Sequence, residues 1–81
     1  MNEQEIRDVV VSELTAIAPE LDPASLKGAV LLRNQVDLDS FDWLNFLVAL
    51  HKRLNVDIPE QDYRKLDTLD TVVAYLKAKV A

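Results

Sequence analysis

The chain has 81 residues, which is enough for one domain spanning residues 1–81. Apolar residues make up 49% of it and charged residues 28%, a balance typical of a folded protein rather than a disordered segment. The net charge of −5 argues against nucleic acid as a partner, because phosphate binding needs clustered lysine and arginine. The lack of cysteine excludes disulfides, thiolate metal sites and a cysteine nucleophile, so any thiol that the protein uses must come from a cofactor.

The first five residues are polar and acidic, unlike a secretory signal peptide. The longest apolar run, residues 46–50, is far too short to cross a bilayer. We therefore expect a cytoplasmic monomer with no stable membrane insertion.

The first predicted helix begins at Asn2, an N-cap residue that is followed three positions later by Glu5 in a capping-box relation. The pair Ala18-Pro19 ends this helix, because a proline disfavours the α conformation of the residue before it. One face of the helix carries apolar residues at helical spacing: Ile6, Val9, Val10, Leu14 and Ile17.

Residues 19–39 form a long first loop, interrupted by Pro23 and Gly28, with a short helical turn predicted at residues 23–27. Loops of this length are uncommon in compact domains and are often functional. We expect several of the loop's apolar side chains to contact the core; the candidates are Leu26, Val30, Leu31, Leu32, Val36 and Leu38.

A second helix is predicted over residues 40–54, with Asp39 as its N-cap and Asn55 as its C-cap. A short helix over residues 60–65 follows Pro59, since proline favours the first position of a helix. The last helix is capped by Asp67 or Thr68, and its apolar face comprises Leu69, Val72, Val73, Leu76 and Val80. The sequence therefore predicts an all-α fold, a small bundle of three main helices and one short helix.

The second helix has more apolar surface than one core-facing stripe requires. Either both of its stripes lie deep in the bundle, or the second is partly exposed and docks a partner. The pattern favours neither alternative. The first stripe is Trp43, Phe46, Leu47, Leu50 and Leu54, and the second is Phe41, Leu44 and Val48.

Ser40 stands at the start of this helix, where serine is most often an N-cap. A capping box would require Glu or Gln at the position of Trp43, and Asp39 is an equally good cap that would leave the Ser40 hydroxyl free. A free hydroxyl in the first turn lies near the positive end of the helix dipole and suits an attached anionic phosphodiester. Taken by themselves, the residues still favour a simple cap.

The tripeptide Asp39-Ser40-Phe41 resembles the Asp-Ser-Leu attachment motif of acyl carrier proteins. Residues 54–59 resemble the family's passage from the second helix to the third, and residues 66–69 resemble the start of its last helix. The resemblance covers the whole chain, and its specific motifs lie in the second half.

This resemblance implies that Ser40 accepts 4'-phosphopantetheine from coenzyme A through a magnesium-dependent phosphopantetheinyl transferase, which Asp39 helps to position. Acyl groups would then be held as thioesters and presented to acyl-loading and acyl-processing enzymes of a fatty-acid, lipid or polyketide-type pathway. Partner-contact positions would be Phe41, Asp42, Leu44 and Val48, whereas Trp43, Phe46, Leu47 and Leu50 would lie nearer the interior.

The sequence departs from the family pattern at two places. Asp37 stands where the family usually has glycine, which bears on the conformation of the loop before Ser40. The second helix offers Asp42 but ends in His51, Lys52 and Arg53 instead of presenting several glutamates, and this departure predicts a specialised carrier. An aminoacyl or peptidyl carrier, or an unmodified interaction module of the same fold, are the alternatives. No enzyme activity of its own and no metal site is expected, since His51 has no catalytic or metal-binding constellation around it.

Overall fold

The computed structural model describes residues 1–80 and confirms the all-α fold. No β-strand occurs among the described residues, and Leu31 and Thr68 form an isolated antiparallel bridge. The α-helices are α1 (Glu3–Ile17), α2 (Leu32–Gln35), α3 (Ser40–Leu54) and α4 (Leu69–Val80), and the 3-10 helices are Pro23–Ser25 and Glu60–Lys65.

The capping box predicted at the start of α1 is present. The backbone N–H of Glu5 donates to Asn2 Oδ1 at 2.8 Å, and the N–H of Asn2 donates to Glu5 Oε1 at 3.0 Å. At the other end, the N–H of Ala18 donates to the carbonyl of Leu14. The face between these ends packs against both α3 and α4, and it buries Ile6, Val9, Val10 and Leu14.

The core between the three long helices is entirely apolar among the described residues. Phe46 of α3 is its largest fully buried side chain. Burying a side chain of this kind contributes about 1.5–3 kcal/mol, so a few such residues account for much of a small domain's stability. The partly buried Ile17, Trp43, Leu54 and Val80 pack around the margin of this core.

The first loop contains more helix than its sequence predicts. The turn expected at residues 23–27 is the 3-10 helix Pro23–Ser25, where the Asp22 side chain accepts a hydrogen bond from the N–H of Ala24. The single α-helical turn Leu32–Gln35 was not predicted, because four residues are too few to show a helical period.

Gln35 holds this loop in its conformation through three hydrogen bonds. Its Nε2 donates to the carbonyls of Lys27 at 2.8 Å and Val30 at 2.9 Å, and its Oε1 accepts from the N–H of Lys27 at 2.7 Å. Leu32 and Val36 are buried beside it, which confirms that apolar loop residues contact the core, whereas the candidate Val30 is exposed.

The same loop is attached to the start of α4. The N–H of Leu32 donates to the carbonyl of Asp67 at 2.9 Å, and the N–H of Asp70 donates to the carbonyl of Gly28 at 3.1 Å. A Cβ atom at Gly28 would overlap the Asp70 carboxylate, so a larger residue at this position would require that exposed side chain to move. These contacts fix α2 beside the segment that precedes α4.

The predicted caps of the later helices are also found. Asn55 adopts the left-handed conformation with φ of 53°, and its N–H donates to the carbonyl of His51. Of the two candidates for α4, Thr68 supplies the cap, because its Oγ1 accepts from the N–H of Thr71 at 3.0 Å. The segment between these caps places the 3-10 helix Glu60–Lys65 close to the start of α3.

Candidate functional site

Ser40 is the first residue of α3 and is exposed to solvent. Asp39 caps the helix, since its Oδ1 accepts a 2.8 Å hydrogen bond from the N–H of Asp42. The Ser40 hydroxyl makes no hydrogen bond to any of residues 1–80. The structure thus confirms Asp39 as the cap and leaves the Ser40 hydroxyl available for reaction.

Ser40 opens onto a groove of about 530 Å³ between the start of α3, α2 and the 3-10 helix Glu60–Lys65. Both apolar and charged side chains line this groove. The lining residues are Leu31, Arg33, Leu38, Asp39, Ser40, Trp43, Tyr63, Arg64, Leu66 and Asp67.

Trp43 connects the groove to the core. Its ring is half-buried, and its centroid lies 5.2 Å from that of the fully buried Phe46, at an interplanar angle of 43°. This tilted geometry is one that aromatic pairs favour. The groove wall is therefore supported by core packing, and the first apolar stripe of α3 faces inward as predicted.

The second stripe of α3 faces solvent. Phe41 is 75% exposed, Leu44 44% and Val48 37%. These three residues follow each other at helical spacing and form a continuous exposed stripe. The structure therefore excludes the alternative in which both stripes lie deep in the bundle, because only the first stripe is buried.

Comparison with known proteins matches residues 4–76 to a family model described as the phosphopantetheine attachment site. The chain belongs to this acyl carrier protein family. Curated relatives named acyl carrier protein are known from Lactobacillus acidophilus (30% identical over 96% of both chains), Thermosynechococcus vestitus (28%, over 100% of this chain and 99% of the relative) and Bdellovibrio bacteriovorus (27%, over 91% and 88%).

The cofactor of this carrier family is covalently attached 4'-phosphopantetheine, and the surroundings of Ser40 fit it. A hydroxyl that is exposed and free of hydrogen bonds can be esterified without disrupting the fold. The backbone N–H groups of the first turn of α3 and the positive end of its dipole favour an anionic diester at this position.

The charges on α3 change sign along the helix. Asp42 is the acidic residue of its first turn, and His51, Lys52 and Arg53 lie in its last turn. Arg53 Nη1 contacts Glu13 Oε1 of α1 at 3.0 Å, so part of this positive charge is neutralised within the carrier. Lys52 has no ion pair among the described residues and remains as an exposed cation on the helix.

His51 has a local structural role. Its Nδ1 lies 2.6 Å from the carbonyl of Val56, just beyond the end of α3. Within residues 1–80, no three histidine, aspartate or glutamate side chains cluster as metal ligands would. No described helix combines the length and hydropathy that a membrane crossing requires.

Sequence reasoning missed Arg33 and Arg64 as residues of the site. Arg33 lies seven positions before Ser40 and Arg64 twenty-four positions after it, and both reach the groove because α2 and the 3-10 helix pack beside the start of α3. No motif or period in the sequence marks them.

Proposed function

We propose that this chain is an acyl carrier domain, residues 1–81, in which Ser40 bears the 4'-phosphopantetheine arm. The single observation that supports this most directly is the state of the Ser40 hydroxyl, which is exposed and unbonded while Asp39 caps the helix. Esterification would weaken the oxygen of a capping serine as a hydrogen-bond acceptor, whereas Ser40 has no such bond to weaken.

Each residue of the site has a defined task in this proposal. Ser40 Oγ is the nucleophile on the transferase: it attacks the pantetheine-bearing phosphorus of coenzyme A, forms the phosphodiester and displaces adenosine 3',5'-bisphosphate, while the hydroxyl proton passes to a base of the transferase. Asp39 keeps the first turn of α3 in place and contributes a carboxylate beside the reacting oxygen for the transferase and its magnesium ion. The attached group supplies a thiol that holds acyl groups as thioesters, and the domain itself has no enzyme activity.

Partner enzymes dock on the exposed stripe Phe41, Leu44 and Val48, with Asp42 beside it. An exposed apolar stripe is a suitable docking surface. Because it lies next to the attachment residue, a partner that covers it also receives the arm.

The partners are the transferase and the acyl-loading and acyl-processing enzymes. The tether raises the effective concentration of the acyl group at each of them. A monomeric, cytoplasmic carrier is sufficient for this role.

The partners form a dedicated set, in a fatty-acid, lipid or polyketide-type pathway. This proposal rests on the single acidic residue in the first turn of α3 and the unpaired Lys52 near its end. A general partner with basic patches would gain little attraction from this helix. An aminoacyl or peptidyl carrier would have the same fold and the same attachment, and the mass of the loaded species distinguishes it.

The attachment is tested by intact mass after incubation with coenzyme A and a broad-specificity phosphopantetheinyl transferase. We expect a mass gain of one phosphopantetheinyl group in the wild type and none in Ser40→Ala. Ser25→Ala is a matched control, since Ser25 lies in another exposed turn and its hydroxyl is bonded to Asp22. An unmodified wild type, or equal labelling of Ser40→Ala, would overturn the proposal.

The exposed stripe by itself also supports a second candidate, an unmodified interaction module of the same fold. Such a module needs Phe41, Leu44 and Val48 but not the Ser40 hydroxyl. The mass of the protein from its native source separates the two candidates. A fully unmodified population would favour the module, and any phosphopantetheinylated fraction would favour the carrier.

A further inference from the structure

Two arginines line the same groove as Ser40, one from α2 and one from the 3-10 helix Glu60–Lys65. Neither Arg33 nor Arg64 has a carboxylate within 4.0 Å in the part of the chain that the structure describes. By contrast, Arg7 lies 3.7 Å from Asp70 and Arg53 lies 3.0 Å from Glu13. Of the arginines in the described residues, the two that line the groove are therefore the ones without an ion pair.

Buried neighbours hold the backbone of both arginines beside the groove. Leu32, next to Arg33, is fully buried, and its N–H is bonded to the carbonyl of Asp67. Leu66, two positions after Arg64, is also buried. The backbone of both arginines is therefore held in place, whereas their side chains are exposed to solvent.

Apart from these two arginines, the charged side chains around Ser40 are carboxylates. Asp39 and Asp67 line the groove, Asp42 lies in the first turn of α3, and the chain carries a net charge of −5. A further negative charge on Ser40 Oγ would be repelled by these carboxylates. A planar guanidinium compensates such a charge well, because its N–H groups match two phosphate oxygens at once.

We infer that Arg33 and Arg64 form an anion site that binds the phosphodiester of the arm on Ser40 and holds the start of the arm in the groove. This inference rests on the proposed attachment and adds a resting position for the arm. The contacts are exposed and screened by salt, so the arm is held weakly and a partner can withdraw it.

The test compares unmodified and phosphopantetheinylated protein for the wild type, Arg33→Gln/Arg64→Gln and a control, Lys27→Gln/Lys77→Gln. The control removes the same charge from exposed lysines that do not line the groove. We expect the Tm difference, modified minus unmodified, to fall by about 2–4 °C in the arginine variant and to stay unchanged in the control. At low salt, the 31P chemical shift of the diester should differ between wild type and arginine variant, and high salt should abolish this difference.

Three results would overturn the inference. One is an unchanged Tm difference and 31P shift in the arginine variant. Another is an equal effect in the lysine control, which would indicate net charge rather than a site. The third comes from repeating the comparison with a carboxylate-bearing acyl group on the arm: an effect that appears only in that form would assign the arginines to the cargo. Failure of the proposed attachment is distinguishable, since no modified protein would then form.

Discussion

Tyr75 of α4 donates a 2.6 Å hydrogen bond from its hydroxyl to Asp62 Oδ2 of the 3-10 helix Glu60–Lys65. Burial, together with this hydrogen bond to Asp62, raises the pKa of Tyr75 to about 12. The same hydrogen bond lowers the pKa of Asp62 below its usual value. The pair ties the wall of the groove that contains Tyr63 and Arg64 to the last helix.

This pair predicts a pH dependence of stability that Tyr75→Phe removes. The pKa of Tyr75 is about 12 when folded and 10.0 in its unperturbed state, so its contribution is present below pH 10 and is lost as the pH rises from 10 to 12. We expect wild type to exceed Tyr75→Phe in free energy of unfolding at pH 8 and this excess to shrink above pH 10. Urea unfolding of both proteins at each pH measures it, and a constant excess up to pH 12 would contradict the assignment.

The same pair responds to acid with the opposite sign. The folded pKa of Asp62 is lowered, so its contribution is present above the unfolded pKa of 3.8 and is lost as the pH falls through the folded value. The excess of wild type over Tyr75→Phe should therefore also decline in strong acid. Asp62→Asn has no carboxylate to protonate, so its free energy of unfolding at neutral pH should lie below that of the wild type, and this difference should shrink in strong acid. Urea unfolding at each pH measures both effects.

Substitutions at Asp39 and Ser40 should separate capping from attachment. Asp39→Ala removes the cap of α3 and should lower the free energy of unfolding by about 1 kcal/mol. Ser40→Ala removes a hydroxyl without a hydrogen bond and should change it by less than about 0.5 kcal/mol. Urea unfolding of the unmodified proteins tests this, with Asp39→Asn as the control that keeps a capping side chain. A Ser40→Ala cost equal to that of Asp39→Ala would make Ser40 the cap.

Local rules were sufficient for the parts of the fold that depend on neighbouring residues. The Asn2–Glu5 capping box, the cap at Asp39 and the left-handed Asn55 each follow from a residue's own side chain and its near neighbours. The three long helices follow from apolar spacing that extends over several turns. These features were predictable because their causes lie within a few positions of each other.

The site as a whole was not predictable in the same way. The four-residue helix Leu32–Gln35 is held by Gln35 and by its contact with Asp67, neither of which leaves a period in the sequence. Arg33 and Arg64 become neighbours of Ser40 only through this packing. The exposure of Phe41 depended on which stripe of α3 faced α1, a question that the pattern of one helix cannot answer.

Phe41 and Phe46 should respond to alanine substitution in different ways, although both are phenylalanines of α3. Phe41 is 75% exposed, so Phe41→Ala should leave the free energy of unfolding nearly unchanged. Phe46 is fully buried, and Phe46→Ala should lower the free energy of unfolding by about 3–5 kcal/mol.

If the exposed stripe docks partners, Phe41→Ala should lower kcat/KM of a partner enzyme by about tenfold, equivalent to about 1.4 kcal/mol. Normal turnover of modified Phe41→Ala would place docking elsewhere.

The charge of α3 is best tested at Lys52 alone. Arg53 is paired with Glu13, so a glutamate at position 53 would repel α1 and confuse docking with stability. Lys52 is exposed and has no ion pair within residues 1–80, and Lys52→Glu changes the helix surface without breaking an observed contact. With a general fatty-acid-synthesis enzyme that presents a basic patch, Lys52→Glu should raise kcat/KM several-fold at low salt.

The gain expected for Lys52→Glu comes from faster association with the basic patch, because complementary charge mainly accelerates association and salt screens it. The gain should therefore diminish as ionic strength rises, while kcat stays nearly constant. Lys77→Glu is the matched control, because it makes the same change of net charge on α4, outside the docking helix. If Lys77→Glu gives the same gain, the effect comes from net charge. If neither variant gains, the charge of α3 does not determine which enzymes this carrier serves.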